Sequence, residues 1–138
     1  PEGGGLNRFD GQNWTLLPGF ESAYENPDAF SNQVTALLVA PDGVLWVGTE
    51  NGLGRYDGAA WARFTTTEGL PDNRITALTL DRDNTLWVGT GYGAARQEGD
   101  RFVPISQLAE TNIFDLLQDT AGRMWFSGGG RAPPLRPG

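Results

Sequence analysis

The side chains in this sequence that could do chemistry are mostly carboxylates. Seventeen Asp and Glu stand against ten cationic residues, all ten of them Arg. His, Cys and Lys are absent. That removes the imidazole general base, the thiolate nucleophile, the Schiff-base lysine and the lysine of phosphate loops. It also removes most zinc and copper ligand sets. Arg stays charged and transfers protons poorly. Paired carboxylates for acid–base work remain possible in principle. Glu68 and Asp72 flank one loop, and Glu50 lies in a hairpin turn. Nothing in the sequence fixes their separation or shifts their pKa values, so charge on surface loops is the simpler reading.

Two Asp-containing stretches, Asp81-Arg82-Asp83 and Pro41-Asp42-Gly43, offer oxygen to calcium. Their spacing does not make an EF-hand loop, and Asp with Gly in this order suits turns. The glycine runs Gly3–Gly5 and Gly128–Gly130 lack the helix and lysine of a phosphate loop. We therefore expect no catalytic residues, no metal and no cofactor.

The elements that must position these groups come from a sentence written three times. Val34-Thr-Ala-Leu-Leu-Val-Ala-Pro-Asp-Gly-Val-Leu-Trp-Val-Gly-Thr49 returns as Ile75-Thr-Ala-Leu-Thr-Leu-Asp-Arg-Asp-Asn-Thr-Leu-Trp-Val-Gly-Thr90. It returns again, altered, as Ile113-Phe-Asp-Leu-Leu-Gln-Asp-Thr-Ala-Gly-Arg-Met-Trp-Phe-Ser-Gly128. Trp46, Trp87 and Trp125 are 41 and then 38 positions apart. A β-rich period of roughly 40 residues points to propeller blades.

One unit parses into four strands: Val34 to Ala40, Leu45 to Thr49, Leu53 to Tyr56 and Trp61 to Thr66. Turn residues separate them, among them Asp57-Gly58. The next unit gives Ile75 to Leu80, Leu86 to Thr90, Ala94 to Gln97 and Phe102 to Ile105. Inner strands with nearly continuous apolar runs are expected where both faces are buried. Trp46, Trp87 and Trp125 are then expected to fill the space between blades, with Trp61 and Trp14 as further structural residues. Arg8, Arg55 and Arg96 recur in strand three and suggest a repeated salt bridge.

The first residues repeat a later part of the unit. Gly5-Leu-Asn-Arg-Phe-Asp-Gly11 aligns with Gly52-Leu-Gly-Arg-Tyr-Asp-Gly58, and Trp14 with Trp61. The expected fold is thus all-β: antiparallel four-stranded propeller blades, about three blades' worth. A propeller segment covers 3–128, with a half-blade at 3–17, blades at 34–66 and 75–106, and a half-blade at 113–128. Residues 129–138 read as a flexible tail. The two half-blades are complementary. Two copies joined head to tail would make six blades, inside the usual range of about four to eight. The other expected partner is the remaining blades of a longer parent chain. The chain begins at Pro1 and shows no signal peptide, which reads as a processed or excised piece.

A net charge of −7 and the lack of a basic patch argue against nucleic acid as partner. No apolar run approaches the roughly 18 residues of a membrane helix. Propeller ligands often sit over the central channel, near loops that lead into strand one and turns between strands two and three. Asn32, Asn73, Arg74 and Asn112 belong to the first set, and Glu50, Asn51 and Tyr92 to the second. Amides beside an aromatic suit a saccharide or another small polar ligand, although Asn73 equally suits a plain turn. An insert near 19–32, with Phe20, Tyr24 and Phe30, outgrows the repeat.

The strand–turn–Leu-Trp-Val-Gly-Thr pattern, Gly-Leu-x-Arg-Tyr-Asp-Gly and Glu68-Gly-Leu-Pro-Asp-Asn73 together resemble the two-component regulator propeller repeat. The resemblance spans about residues 3 to 128 and is weakest at Phe126-Ser127. It implies a bacterial module that senses or binds, in the periplasm or outside the cell, with a cytoplasmic location left open. A propeller lyase or hydrolase acting on polysaccharide or a small molecule is the runner-up, which the absence of His disfavours. A self-assembling structural segment without a ligand is the third reading.

Overall fold

A computed structural model describes residues 6–17 and 33–129 of the chain. Twelve strands follow in order: β1 Leu6–Phe9, β2 Trp14–Leu17, β3 Val34–Val39, β4 Leu45–Thr49, β5 Gly52–Tyr56, β6 Trp61–Phe64, β7 Ile75–Leu80, β8 Leu86–Thr90, β9 Gly93–Glu98, β10 Arg101–Pro104, β11 Asn112–Gln118 and β12 Met124–Gly129. They form four antiparallel meanders: β1-β2, β3-β4-β5-β6, β7-β8-β9-β10 and β11-β12. The fold is all-β, as expected, with two complete four-stranded blades between two two-stranded sheets.

Strand limits depart from the sequence reading by a residue or two. Strand four stops at Phe64 and Pro104, because the chain then makes short 3-10 turns at Thr66–Glu68 and Ser106–Leu108. The first turn is set by a capping box: Thr65 Oγ1 accepts from the Thr67 N–H, and Glu68 Oε1 accepts from the Thr65 N–H. Strand β12 continues through Gly129, one residue beyond the expected segment. The half-blade residues 3–5, the insert near 19–32 and the tail from 130 onward lie outside the described residues.

The Thr that ends the repeated motif holds the turn between strands two and three. Thr49 and Thr90 are fully buried. Thr49 Oγ1 donates to the Gly52 carbonyl and accepts from the Asn51 N–H, at 2.8 and 2.9 Å. Thr90 repeats this with Gly93 and Tyr92, at 2.7 and 3.1 Å. Gly52 and Gly93 sit at φ +113° and +130°, a region other residues rarely enter.

The blades stack face to face, and one motif position explains how. A Cβ placed on Gly48 would lie 2.6 Å from Cγ2 of Ile75, the residue that opens the next blade. A Cβ on Gly89 would lie 2.6 Å from Cγ2 of Ile113, which opens the third repeat. Both isoleucines are fully buried. The missing side chain on strand two therefore makes room for the first residue of the following blade. Thr35 Oγ1 adds a 2.6 Å hydrogen bond to the Ile75 carbonyl across the same interface.

Three apolar clusters fill the three inter-sheet gaps. The largest joins Trp46 and Leu53 of one blade to Ile75, Leu86, Val88 and Phe102 of the next. A second joins Ala94 and Trp87 to Ile113 and Leu116. The third joins Leu6 and Leu17 to Val47, Leu45 and Trp61. Strands β4 and β8 are buried on both faces as expected, whereas β3 alternates, with Leu37 and Val39 exposed.

The tryptophans split accordingly. Trp46 is 4% exposed, while its counterpart Trp125 is 57% exposed because no described sheet lies over β12. Among the described residues the salt bridge expected from strand three forms at Arg96 alone. Arg96 pairs with Glu98 at 2.9 Å, but Arg55 lies over the Trp46 ring, 5.8 Å from its centroid. Arg96 thus takes a partner on its own strand, and Arg55 one on the neighbouring strand β4.

Gly48→Ala is expected to cost roughly 1–3 kcal/mol of unfolding free energy by overpacking against Ile75. Trp46→Ala is expected to cost roughly 3–5 kcal/mol. Urea denaturation checks both; a neutral Gly48→Ala would show that the close approach is relaxed.

Candidate functional site

The loops leading into strand one and the turns between strands two and three lie along one rim. Backbone bonds lace them together. Glu50 N–H donates to the Gln33 carbonyl at 3.2 Å and Gly52 N–H to the Asn73 carbonyl at 2.6 Å. Gly91 N–H donates to the Arg74 carbonyl at 3.0 Å and Glu110 N–H to the Tyr92 carbonyl at 3.2 Å. Of the described residues among those expected, Glu50, Asn51, Asn73, Arg74 and Tyr92 lie in these loops and turns, and Asn112 opens strand β11.

Their side chains differ in what they are committed to. Arg74 Nε lies 3.4 Å from Glu50 Oε1, with both side chains about half exposed. Such a surface pair stabilises by about 0–1 kcal/mol and stays accessible to a ligand. Asn73 serves the loop: its Oδ1 accepts from the Thr66 N–H at 2.9 Å, and its own N–H donates to Asp72 Oδ1. The turn reading of Asn73 is the one its contacts support. The Asn51 carbonyl accepts from Arg63 Nη2 at 2.7 Å. Tyr92 exposes its ring at the rim of an apolar hollow of about 290 Å³, lined also by Pro71, Ala94, Pro104, Ile105 and Ala109.

Asn112 Oδ1 is buried and has no hydrogen-bond partner among the described residues. An unmet buried acceptor costs about 1–3 kcal/mol, so a donor arriving there would be favoured. Asn112, Arg74 and Gln33 occupy the same repeat position, immediately before the opening aliphatic of strand one. No hydrogen bond joins the Asn112 amide to Arg74 or Glu50 among the described residues. Asn32 lies outside the described residues. The hollow beside Tyr92 was not foreseen; Pro71, Pro104 and Ile105 are single apolar residues in loops, a weak signal in sequence.

The Asp clusters are used by their own hairpins. Asp81 Oδ1 accepts from the Asp83 and Thr85 N–H groups, and Oδ2 accepts from Trp87 Nε1 at 3.0 Å. Asp119 repeats the pattern with Ala121, Arg123 and Trp125 Nε1, the last at 2.7 Å. Asp42 accepts from the Val44 N–H. These oxygens are turn acceptors, in line with the turn reading over the calcium one.

Electrostatics agree. The Trp125 indole, followed by the Arg123 N–H, holds Asp119 down to about 2. Burial works to raise Asp81, but the Trp87 indole and two backbone donors outweigh it, and its pKa falls. Asp10 and Asp57 are lowered by the backbone N–H groups of Asn13 and Ala60, then of Gln12 and Ala59. Each of these four carboxyls is held in its ionised form; none is held protonated as a general acid requires.

Four-stranded antiparallel meanders stacked through their inner strands define a β-propeller segment. Residues 29–51, 69–92 and 107–130 match the model of the two component regulator propeller family, and the chain belongs to that family. Among solved structures, the chain is similar to the extracellular domain of BT4673 from B. thetaiotaomicron, described as a hybrid two component system. The likeness has 29% identity and a TM-score of 0.65 over 74% of this chain and 15% of that one. It is also similar to the extracellular domain of BT3049 from the same organism, likewise described as a hybrid two component system. There the identity is 22% and the TM-score 0.66, over 83% of this chain and 16% of that one, and the likeness bears on fold alone. The chain spans about a sixth of the length of these domains. No curated protein matches it. Among the described residues no helix is long and apolar enough to cross a membrane.

Asp119 gives a pH test. A carboxyl with a depressed folded-state pKa stabilises the fold above its unfolded value and loses that contribution as pH falls through its folded value. Stability is therefore expected to decline between about pH 4 and 2. Asp119→Asn is expected to flatten part of that decline; an unchanged acid limb in chemical denaturation would refute the assignment.

Proposed function

We propose that this chain is part of the ligand-sensing region of a two-component regulator, outside the cytoplasm, and that it binds rather than transforms its ligand. Membership of the regulator propeller family supports a sensor module. The 29%-identical neighbour, an extracellular domain, supports the location. The ligand is a saccharide or another small polar molecule, held at the loop rim by Arg74, Glu50, Tyr92 and Asn112. The observation that carries this reading is the buried, unpartnered Oδ1 of Asn112. It shares the rim with an accessible guanidinium–carboxylate pair and an exposed phenol ring. Hydroxyl-rich ligands offer donors to the amide and carboxylate, acceptors to the guanidinium and a C–H face to the ring.

A thermal-shift screen of saccharides against the purified chain tests this. A ligand at 100 times its Kd is expected to add about 2.7 kcal/mol of stability. Asn112→Ala and Tyr92→Ala are expected to weaken the response at least about tenfold in Kd, and Asn112→Ala, which removes the unmet acceptor, to leave the unliganded protein no less stable. If no saccharide or small polar compound shifts the melt, the ligand reading fails.

A further inference from the structure

Two joints between successive repeats differ at one pair of rim positions. At the first joint Glu50, in the turn of one blade, meets Arg74, which precedes strand one of the next. Gly91 stands at the repeat position of Glu50, and Asn112 at that of Arg74. The backbone framework is shared. Gly48 admits Ile75 at the first joint and Gly89 admits Ile113 at the second, each with 2.6 Å between the place of a Cβ and the isoleucine Cγ2. Both halves of the ion pair are therefore replaced at the second joint by residues without charge. Strands β8, β9 and β11, which form this joint, are all described, so the contrast does not depend on what flanks the outer sheets.

A carboxylate and a guanidinium border the bare backbone of Gly91. A Cβ placed there would lie 3.1 Å from Asp72 Oδ2 and 3.7 Å from Arg74 Nη1. Asp72 uses its other oxygen, Oδ1, to accept from the Asn73 N–H at 2.8 Å. No ion pair joins Asp72 to a cation among the described residues, and Arg74 Nε is held by Glu50. Asn112, at the position where the first joint has its cation, brings no charge, and its buried Oδ1 has no donor. Glu50, Asp72 and Arg74 together leave one negative charge in excess.

The notch at Gly91 therefore asks for a cation rich in donors on its Asp72 side and for an acceptor on its Arg74 side. A primary ammonium meets the first need, since it brings three N–H donors and no acceptor. A hydroxyl on the adjacent carbon meets the second, its oxygen accepting from Arg74 Nη1. A carboxylate or sulfate would reach Arg74 only by lying beside Asp72 and Glu50. Charge-assisted N–H···O⁻ bonds are roughly twice as strong as neutral ones, so the ammonium decides the preference.

We propose that the Gly91 notch is a subsite for a vicinal amino alcohol, the group that a hexosamine presents, with its ammonium on Asp72 Oδ2 and its hydroxyl on Arg74 Nη1. The proposal rests on the saccharide reading of the rim and narrows it to amine-bearing sugars.

Isothermal titration calorimetry of the unaltered chain at mildly acidic pH, with glucosamine, glucose and glucuronate as probes, tests this. Glucosamine is expected to bind at least about tenfold more tightly than either of the others, because one charge-assisted bond separates them. Asp72→Asn keeps the Oδ1 acceptor for the Asn73 N–H and is expected to lower the affinity for glucosamine to that for glucose. Gly91→Ala sets a methyl group against the far end of the Asp72 side chain, at a φ outside the left-handed region. It is expected to weaken glucosamine about tenfold with an unchanged far-UV spectrum. Equal binding of glucosamine and glucose, a preference for glucuronate, or unaltered glucosamine binding in Asp72→Asn overturns the subsite and leaves the saccharide reading standing. Absence of glucosamine binding at about 10 mM also overturns the subsite. The saccharide reading falls separately, when the wider thermal-shift screen is silent as well.

Discussion

Blade-to-blade contact at a single bare backbone position is the constraint on which the rest of this structure depends. Gly48 and Gly89 leave no side chain on strand two, and Ile75 and Ile113 occupy the space. Burying each isoleucine contributes on the order of 1.5–3 kcal/mol. The gain is reached only if strand two of one repeat and strand one of the next approach closely, so it couples successive repeats and fixes their order. The apolar clusters of Trp46, Leu53, Val88 and Phe102 then fill the gap that this approach sets. Stability in such an array is close to a sum of repeat and neighbour terms.

The hairpins are built separately from the stack. Thr49 and Thr90 close the turns on the rim, and Asp81 and Asp119 close those on the opposite end of the strands. These are short-range bonds within one repeat. The rim can therefore vary in side chain without disturbing the core: Gln33, Arg74 and Asn112 differ in chemistry at one repeat position, while Val34, Ile75 and Ile113 beside them are all β-branched aliphatics.

Most of the fold was legible in the sequence because the repeat aligns with itself. β4, β7 and β8 have the limits read from Leu45 to Thr49, Ile75 to Leu80 and Leu86 to Thr90. The ends of strand four were not, since the 3-10 turn after Phe64 depends on a Thr65–Glu68 box that resembles ordinary loop sequence. The roles of Arg55 and Arg96 were not legible either. Both occupy one repeat position with an acid two residues later, yet Asp57 accepts from the Ala59 and Ala60 N–H groups of its own turn, whereas Glu98 pairs with Arg96. Of the rim residues, sequence placed Glu50, Arg74, Tyr92 and Asn112 on one edge. It could not show that Asn73 is engaged by Thr66, or that Asn112 keeps an unmet acceptor, because both depend on the path of the folded loops.

The three-fold repeat thus specifies a stack joined through bare backbone on strand two. Urea denaturation of Gly89→Ala tests that account most directly. A loss of roughly 1–3 kcal/mol of unfolding free energy is expected from the clash with Ile113. An unchanged unfolding midpoint would contradict it.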